Sequence, residues 1–431
     1  MINFDTALPK LISTIESSDF IKVEKACIVR DLRGRLRLVL EASDDYDISA
    51  ISATLETKLG KWFFGPVLNA KAGSPGQKRL AKSILSSSLE WPSSWPKTRD
   101  DGTGGRIDIG DRWIGKQRLL SKESWLSSPS EDDIWPLKSQ TPTIVAFYSF
   151  KGGVGRSTLL GMTAYKMAKE GKKVVCIDLD LEAPGLNGFF GVQSETSVLD
   201  ALLTHAVTDS LPATGLLAAV DVNYGDVEVS FQAITAGEMN GRYVEKLARL
   251  DYLSSANEAS PVAKALNALL KKIKRDENPD YILLDCRAGI HDLGGLSLVQ
   301  FAHIDVLVGR DSPQGREGLT LTLEMLGKAK KSDRQRLQIV QTFVPTEKDA
   351  AETSTARFRE SMHDVCKKYL YDDDDNVPEL DNDSSAHFPR TLTEDKSISA
   401  SETLQDLPEN VLNSAGLSGV CEKIEMLSTP S

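Results

Sequence analysis

A glycine-rich loop between an apolar run and a helix-like stretch constrains this chain more than any other feature. The apolar run TIVAFYSF (143–150) leads directly into KGGVGRST, and residues 159–170 follow with helical periodicity. Glycines let a backbone turn tightly, so that successive N–H groups and a helix N-terminus face an anion. The pattern predicts a strand, a phosphate-binding loop and a helix. The expected phosphate contacts are Lys151, Gly152, Gly153, Val154, Gly155, Arg156, Ser157 and Thr158.

Further apolar runs without strict alternation follow this loop, as is typical of strands in a parallel sheet that is covered on both faces. They lie at 173–180, 228–235, 280–286, 304–310 and 337–343, with helical patterns between them. This order predicts an α/β domain over 143–431, with a mostly parallel sheet flanked by helices.

Residues 1–126 show another pattern, that of a small α+β domain. Leu36, Leu38 and Leu40 alternate with Arg35, Arg37 and Val39, which predicts a half-buried strand. The Ser-, Pro- and acid-rich segment 127–142 is interpreted as a linker. The expected elements are helices at 4–18 and 48–63, strands at 23–31 and 34–42, and a hairpin at 106–115.

Charge and hydropathy indicate whether the chain is expected to bind nucleic acid or to enter a membrane. Residues 1–135 hold 20 basic and 19 acidic side chains, whereas the rest of the chain holds 31 and 43. Nucleic-acid binding usually needs a basic face, so we do not expect it of the second part, while a local basic patch in the first part stays open. No apolar run reaches the roughly 20 residues that span a bilayer, and the N-terminal residues MINFDTALPK lack the basic-then-apolar layout of a secretory signal. A cytoplasmic protein without membrane insertion is expected.

The positions of cysteine and tryptophan in the sequence indicate which structural roles these residues can have. The five cysteines form no C-x-x-C pair, so we expect buried free thiols and no disulfide framework or thiolate metal site. All six tryptophans lie within the first 135 residues. Core packing is expected for most of them, with a partner-binding surface as the alternative.

The loop resembles the deviant Walker A loop K-G-G-x-G-K-[ST]-T of the MinD/ParA family and departs from it only at Arg156. The resemblance implies an ATP-binding protein in which Lys151 reaches across a nucleotide-sandwich homodimer to the partner's phosphates. It also implies that Ser157 ligates Mg²⁺. Arg156 still offers charge and N–H donors to phosphates, but a guanidinium is planar and wide where an ammonium is compact.

Two later segments strengthen the resemblance. Asp178 and Asp180 follow the second apolar strand, as in the family's D-x-D switch, where the second aspartate orients the attacking water and the first lies nearer the metal. Asp285 begins DCRAGI, which resembles the Walker B-like D-x-P-A-G-I and implies a hold on the Mg²⁺ hydration shell. Arg287 replaces the proline of that motif. It either restrains the switch segment through an ion pair or is a surface variant without a special role. For His291, a capping or surface role is expected over that of a general base.

A weaker resemblance lies near the C-terminus. Residues 387–395 are similar to the family segment beside the adenine, and Pro389 is the predicted contact. The preference for adenine over guanine is implied by the family alone. The features that mark several relatives are missing from the sequence, namely a basic amphipathic tail, C-x-x-C and a terminal tyrosine cluster.

The predicted function is an ATP- and Mg²⁺-dependent dimerisation switch that hydrolyses ATP with Asp180 and Lys151 as its catalytic residues. The N-terminal domain is expected to recognise a protein partner that the switch regulates or recruits, as in bacterial multi-gene, defence-type systems. One alternative is a nucleotide sensor with negligible turnover, in which Arg156 locks ATP in place. Another is a phosphotransferase, because the same loop serves both reactions.

Overall fold

The structure, a computed structural model, describes most of the chain as two units, Met1–Leu120 and Ser121–Ser431. The predicted linker lies outside the described residues except for its last two, and the predicted domain boundary at residue 126 stays a prediction. The described residues are 2–86, 91–92, 95, 98–100, 106–108, 110–117, 119, 121–126, 141–224, 226–253, 259–329, 336–371 and 377–428.

The N-terminal unit is built on a four-stranded sheet in the order β3-β2-β1-β6. Its strands are β1 (Val23–Arg30), β2 (Leu36–Ala42), β3 (Leu68–Asn69) and β6 (Trp113–Gln117), and a separate antiparallel pair is formed by β4 (Thr98–Asp100) and β5 (Arg106–Asp108). The helices are Phe4–Glu16, Ile48–Leu59 and Pro75–Ser86, with 3₁₀ turns at Phe20–Lys22 and Gly60–Trp62.

Two expectations for this unit are wrong. The predicted hairpin at 106–115 does not form, because β5 pairs with β4 while β6 pairs in parallel with β1. The strand β2 is not half-buried either. Leu36, Leu38 and Leu40 are buried on one face as predicted, but Val39 is buried on the other face, in a small cluster with Ala81 of the helix Pro75–Ser86. That helix was not predicted, although its Ala81, Ile84 and Leu85 pack together in this cluster.

The second unit contains an eight-stranded sheet in the order β14-β13-β12-β7-β11-β8-β10-β9. Every neighbouring pair is parallel except the hairpin β9–β10, so the predicted fold class is confirmed. β9 and β14 were not predicted. The strands are β7 (Thr143–Tyr148), β8 (Val174–Leu179), β9 (Ala218–Tyr224), β10 (Val227–Ile234), β11 (Tyr281–Cys286), β12 (Ile304–Arg310), β13 (Leu337–Val344) and β14 (Arg390–Thr393).

Helices cover both faces of this sheet. The helix Pro261–Glu277 has clear signals at both ends: Ser260 caps its start, and Asn278 ends it in the left-handed conformation. The helices are Glu123–Leu126, Arg156–Lys169, Leu186–Phe190, Val198–Thr208, Gly241–Leu247, Pro261–Glu277, Asp292–Gly295, Pro313–Ala329, Lys348–Tyr369, Lys396–Ala400, Glu409–Leu412 and Ala415–Ser428, with a π-helical segment at Leu296–Phe301 and a 3₁₀ turn at Leu404–Asp406.

The central strands explain why their sequences lack strict alternation. In β7, Ile144 and Ala146 enter one core with the helices Val198–Thr208 and Pro261–Glu277. Val145 enters the core on the opposite face, with the helix Arg156–Lys169. Both faces of the strand are therefore apolar, and polar side chains are left to its carboxyl end.

The cysteines and several of the tryptophans lie in the core. All five cysteines are free and buried, as expected. Trp95, Trp113 and Trp125 are buried, which confirms core packing for these three, while Trp135 lies outside the described residues. Trp125 belongs to the second unit and not to the first. Among the described residues, no helix is both long and apolar enough to cross a membrane.

Candidate functional site

The sheet order brings the three sequence motifs to one edge. β11 lies between β7 and β8 in parallel, and its Asp285 is in register with Phe147 on one side and Asp178 on the other. The loop that follows β7 therefore starts beside both carboxylates. This is the carboxyl edge of a parallel sheet, where ligands bind in open α/β folds.

The glycine-rich loop has the geometry of an anion cradle. Gly153 and Gly155 have φ values of 73° and 78°, which a residue with a side chain rarely adopts. A Cβ added at Gly152 or Gly153 would meet no atom within 4 Å, so the inside of the loop is open. Within the part of the chain that the structure describes, the N–H groups of 152–155 make no hydrogen bond. These groups and the start of the helix at Arg156 are available to phosphate oxygens.

Phe150 takes the place of the first glycine of a standard loop and packs tightly on the helix Pro313–Ala329. A Cβ added at Gly318 would lie 2.1 Å from Cδ1 of Phe150, so only a glycine leaves room for the ring. The contact fixes the entry to the loop against this helix.

Arg156 does not point to the cradle but lies between two carboxylates. Its side chain is only 8% exposed, and its Nε donates to Oδ1 of Asp285 at 2.6 Å. One terminal nitrogen donates to Oδ2 of Asp180 at 2.9 Å and to the Ser157 hydroxyl at 3.2 Å. The residue that departs from the family motif thus connects both aspartates to which the resemblance assigns chemistry.

Asp178 anchors the segment that follows β8. Its two carboxylate oxygens accept the backbone N–H groups of Asp180 and Leu186, each at 3.1 Å. Burial and the neighbouring charge of Asp285 raise the pKa of Asp178 to about 8. Both oxygens are in use, so the predicted role of Asp178 as a metal ligand stays a prediction.

Asp285 and Ser157, the two other residues predicted to bind metal, fit a magnesium ion. Oδ2 of Asp285 is fully buried and has no hydrogen-bond partner among the described residues, and the Ser157 hydroxyl accepts from Arg156, which also donates to Asp285. Within the described part of the chain, no cluster of three or more His, Cys, Asp or Glu side chains forms a metal site. Mg²⁺ in phosphate sites needs only one or two protein oxygens together with water and the nucleotide.

Lys151 lies on the outer side of the loop. Its Nζ donates to Oε1 of Gln314 at 2.8 Å, in an exposed position. Beside it is a cavity of about 300 Å³ lined by the start of the loop and by residues 308–312 at the end of β12. The predicted contact of Lys151 with a second subunit stays a prediction.

A second pocket lies at the other side of the loop. Thr158 and Met162 of the helix Arg156–Lys169 line this pocket together with Phe343. Residues 392–395, which belong to the segment that resembles the adenine-binding region, complete the lining. Phe343 has a φ of 54°, and the neighbouring Thr342 hydroxyl donates to the carbonyl of Val154 at 2.9 Å. Pro389 is buried but is not among the residues that line this pocket, so its predicted contact stays a prediction.

The loop after β11 carries an ion-pair network. Arg287 lies 3.0 Å from Glu182 and 3.7 Å from Asp180, which favours the ion-pairing interpretation of this residue. Nε2 of His291 lies 2.6 Å from Oε1 of Glu182, and its Nδ1 accepts the N–H of Leu293, so that His291 caps a helix as expected. Although burial acts to raise it, the hydrogen bond from His291 and the charge of Arg287 keep the pKa of Glu182 below its usual value.

Sequence reasoning missed three contributors to this site. Glu182 lies two residues beyond Asp180, and that spacing is a usable signal. Gln314 and Phe343 gave no signal, because each reaches the loop only through the packing of a distant strand or helix. A strand, an open glycine cradle, a helix start and paired carboxylates at one sheet edge define a nucleotide-binding P-loop domain.

Comparisons with known proteins agree with this class. The family model described as an AAA domain matches residues 142–339. The chain is 26% identical over 212 residues to the chloroplastic septum site-determining protein minD homolog of Arabidopsis thaliana, which covers 45% of this chain and 56% of that protein. It is 32% identical over 82 residues to the iron-sulfur cluster carrier protein of Clostridium perfringens, covering 19% and 29%.

The chain therefore spans about half of the length of the first of these relatives and less of the second. Among solved structures, the Pyrococcus furiosus cell division ATPase MinD aligns with a TM-score of 0.43 and 19% identity, over 66% of this chain and 99% of that one. The sequence matches support a P-loop domain of the MinD/ParA type in the second unit. Its assignment to a K-G-G-V-G-R subgroup stays a prediction.

Proposed function

We propose that this protein is an ATP- and Mg²⁺-dependent switch that closes into a homodimer when ATP binds and opens after hydrolysis. The observation that carries the proposal is the open cradle of residues 152–155 beside the buried pair of Asp180 and Asp285. A site for phosphates thus lies next to carboxylates suited to a metal and to an attacking water.

In this mechanism each side chain has a separate task. The loop N–H groups bind the phosphates, and Ser157 and Asp285 would hold Mg²⁺, which offsets charge on the β- and γ-phosphates. Asp180 orients the attacking water, and Lys151 contacts the phosphates of the partner subunit. Lys151 must leave Gln314, and Arg156 must give up at least one carboxylate, before all four tasks can be performed.

The position of Arg156 favours a second candidate, a nucleotide sensor with negligible turnover. Its guanidinium holds the carboxylates of both Asp180 and Asp285. If it kept these contacts with ATP bound, Oδ2 of Asp180 would stay paired with Arg156, and Oδ1 already accepts the N–H of Ala183 at 3.3 Å, so the carboxylate would be poorly placed to orient water. The protein would then bind ATP and hydrolyse it negligibly.

The N-terminal unit is proposed to recognise a protein partner in the cytoplasm, in the context of a bacterial multi-gene, defence-type system. A cavity of about 580 Å³ lies in this unit between the helix Ile48–Leu59 and residues 66–69. Its lining combines polar side chains such as Ser52 and Glu56 with the backbone of the short edge strand β3. Edge strands of this kind can add a strand from another chain.

The experiment that separates the two candidates follows phosphate release and molar mass together, with ATP and Mg²⁺. Wild-type protein is compared with Asp180→Ala. Turnover that disappears in the variant while a dimer accumulates supports the switch. Tight ATP binding without turnover in either protein supports the sensor. Absence of ATP binding in both would overturn the proposal.

A further inference from the structure

The chain passes from the N-terminal unit directly onto the loop after β11. Leu120 is the last residue of the first unit, and within two residues Lys122 contacts Asp292. Its Nζ lies 2.7 Å from Oδ2 of Asp292, and its backbone N–H donates to Oδ1 of the same side chain. We call residues Lys122–Trp125 the junction strap.

Two further hydrogen bonds attach the strap to the same loop. The Ser124 hydroxyl donates to the carbonyl of Asp292 at 3.1 Å. The indole N–H of Trp125 donates to the carbonyl of His291 at 2.6 Å. The Asp292 side chain is only 7% exposed, whereas Lys122 is 37% exposed, so the carboxylate is shielded from water and the ammonium is partly solvated.

Packing makes the attachment specific. Trp125 is 2% exposed and lies against Tyr148, with ring centroids 5.6 Å apart. A Cβ added at Gly295 would lie 2.7 Å from Cδ1 of Trp125. Lys122 has a φ of 67°, a conformation that a non-glycine residue keeps only where its surroundings hold it. The strap is thus a fitted element of this unit.

The loop held by the strap is the one that reaches the candidate catalytic residues. Tyr148 donates to the carbonyl of Gly289 at 3.1 Å. His291 pairs with Glu182, which pairs with Arg287, and Arg287 lies 3.7 Å from Asp180. An unbroken series of contacts therefore runs from Trp125 to the side chain proposed to orient water.

We infer that the junction strap positions the loop Arg287–Asp292 and thereby sets the rate of ATP turnover at the neighbouring carboxylates. The inference rests on the proposed ATPase function and adds residues that position its site. Because coupling is reciprocal, ATP binding must in turn change the stability of the strap. Trp125 and Lys122 are positioning residues, since neither touches the phosphate cradle.

The test uses the full chain and two readouts. Hydrogen exchange is measured at the amides of 122–126 with and without ATP and Mg²⁺, and the rates should change at least threefold, while those of the helix Pro261–Glu277 stay constant. Trp125→Phe keeps the ring but loses the hydrogen bond to His291. It should change kcat at least threefold and leave the affinity for a fluorescent ATP analogue within twofold.

Trp95→Phe is the matched control, because it loses an indole hydrogen bond to Gln117 within the N-terminal unit. Lys122→Ala provides a second variant that removes no core side chain, and it should shift kcat in the same direction. If ATP is bound and hydrolysed but the strap amides and both variants behave as wild type, the inference is overturned and the proposed function stands. If the analogue does not bind to wild-type protein, both are overturned.

Discussion

Arg156 and Asp285 form a buried ion pair in which Nε donates to Oδ1 at 2.6 Å, and the same guanidinium holds Asp180. Burial, together with the charge of Asp180, raises the pKa of Asp285, and the guanidinium of Arg156 opposes that rise. Without Arg156, two carboxylates would be left at a buried sheet edge. The pair therefore stabilises the site before any nucleotide is bound, and it must be rearranged when nucleotide arrives.

Arg156→Ala should lower the free energy of unfolding of the second unit by about 3 to 5 kcal/mol, because it leaves buried charges uncompensated. The measurement is the urea dependence of amide exchange in β11, which reports on this unit alone. Arg249→Ala is the control, since it removes only the exposed pair with Glu245 and should cost less than about 1 kcal/mol. Equal losses in the two variants would contradict the prediction.

Arg156→Lys should lower the Mg²⁺ concentration that gives half-maximal ATP binding, by roughly threefold or more. An ammonium has no fork of donors and cannot hold Asp180 and Asp285 as a guanidinium does, so one carboxylate becomes free. Titration of Mg²⁺ against a fluorescent ATP analogue measures the shift. Lys166→Arg, on the same helix but paired with Glu170, should leave the titration unchanged.

Lys151→Ala should abolish ATP-dependent dimerisation while the monomer stays folded. Among the residues that the structure describes, its Nζ hydrogen-bonds to the exposed Gln314, so little stability is lost. Light scattering with ATP and Mg²⁺ gives the molar mass, and circular dichroism confirms folding. Gln314→Ala should still form the dimer, because it releases Lys151 without removing its charge. A dimer in Lys151→Ala would exclude the sandwich arrangement.

Ser399→Trp should weaken ATP binding at least tenfold by filling the pocket that contains Thr158 and Phe343. Binding of inorganic triphosphate, which has no base, should change less than twofold. Calorimetry with the two ligands measures both affinities. The neighbouring Ala400→Trp is exposed and outside the pocket, so it serves as the control. Equal weakening for both ligands would mean that the base lies elsewhere.

The second unit should lose stability in mild acid through His387. Burial, aided by the nearby His363, lowers the pKa of His387 below its ordinary value of 6.5. Below that pH the unfolded chain takes up a proton that the folded chain does not, so the stabilisation is complete above about pH 6.5 and is lost as pH falls through the lowered pKa.

His387→Asn should accordingly show a flatter dependence of unfolding free energy on pH between about 5 and 6.5 than wild type. It should also be less stable at pH 8, because it loses the hydrogen bonds to Tyr371 and to the carbonyl of Glu379. His205→Asn is the control. Parallel pH profiles for His387→Asn and wild type would show that this residue does not cause the acid sensitivity.

The parts of the site that follow apolar strands could be predicted from sequence. Asp178 and Asp285 end buried runs, and neighbouring parallel strands place such ends together. The partners of Arg156 could not be predicted, because a guanidinium can extend to phosphates or to carboxylates and only packing decides between them. The strap was hidden for a similar reason. Lys122 and Asp292 are 170 residues apart.

The N-terminal unit was predicted less well because its strands are short. β5 has three residues and β6 has five, so apolar alternation cannot decide which neighbour each one pairs with. The turn-like sequence between them favoured a hairpin of β5 with β6. In the structure β6 instead pairs in parallel with β1. Backbone pairing over long separations depends on the whole core, which a local pattern does not contain.

Phe150 and Gly318 constrain how sequences of this kind can diverge. The aromatic ring occupies the space that a side chain at position 318 would need. A relative that gains a side chain at position 318 must therefore carry a smaller residue at position 150. An aromatic residue at the start of the loop should accordingly occur together with a glycine in this helix, which makes the combination a diagnostic marker for chains that begin their phosphate loop in this way.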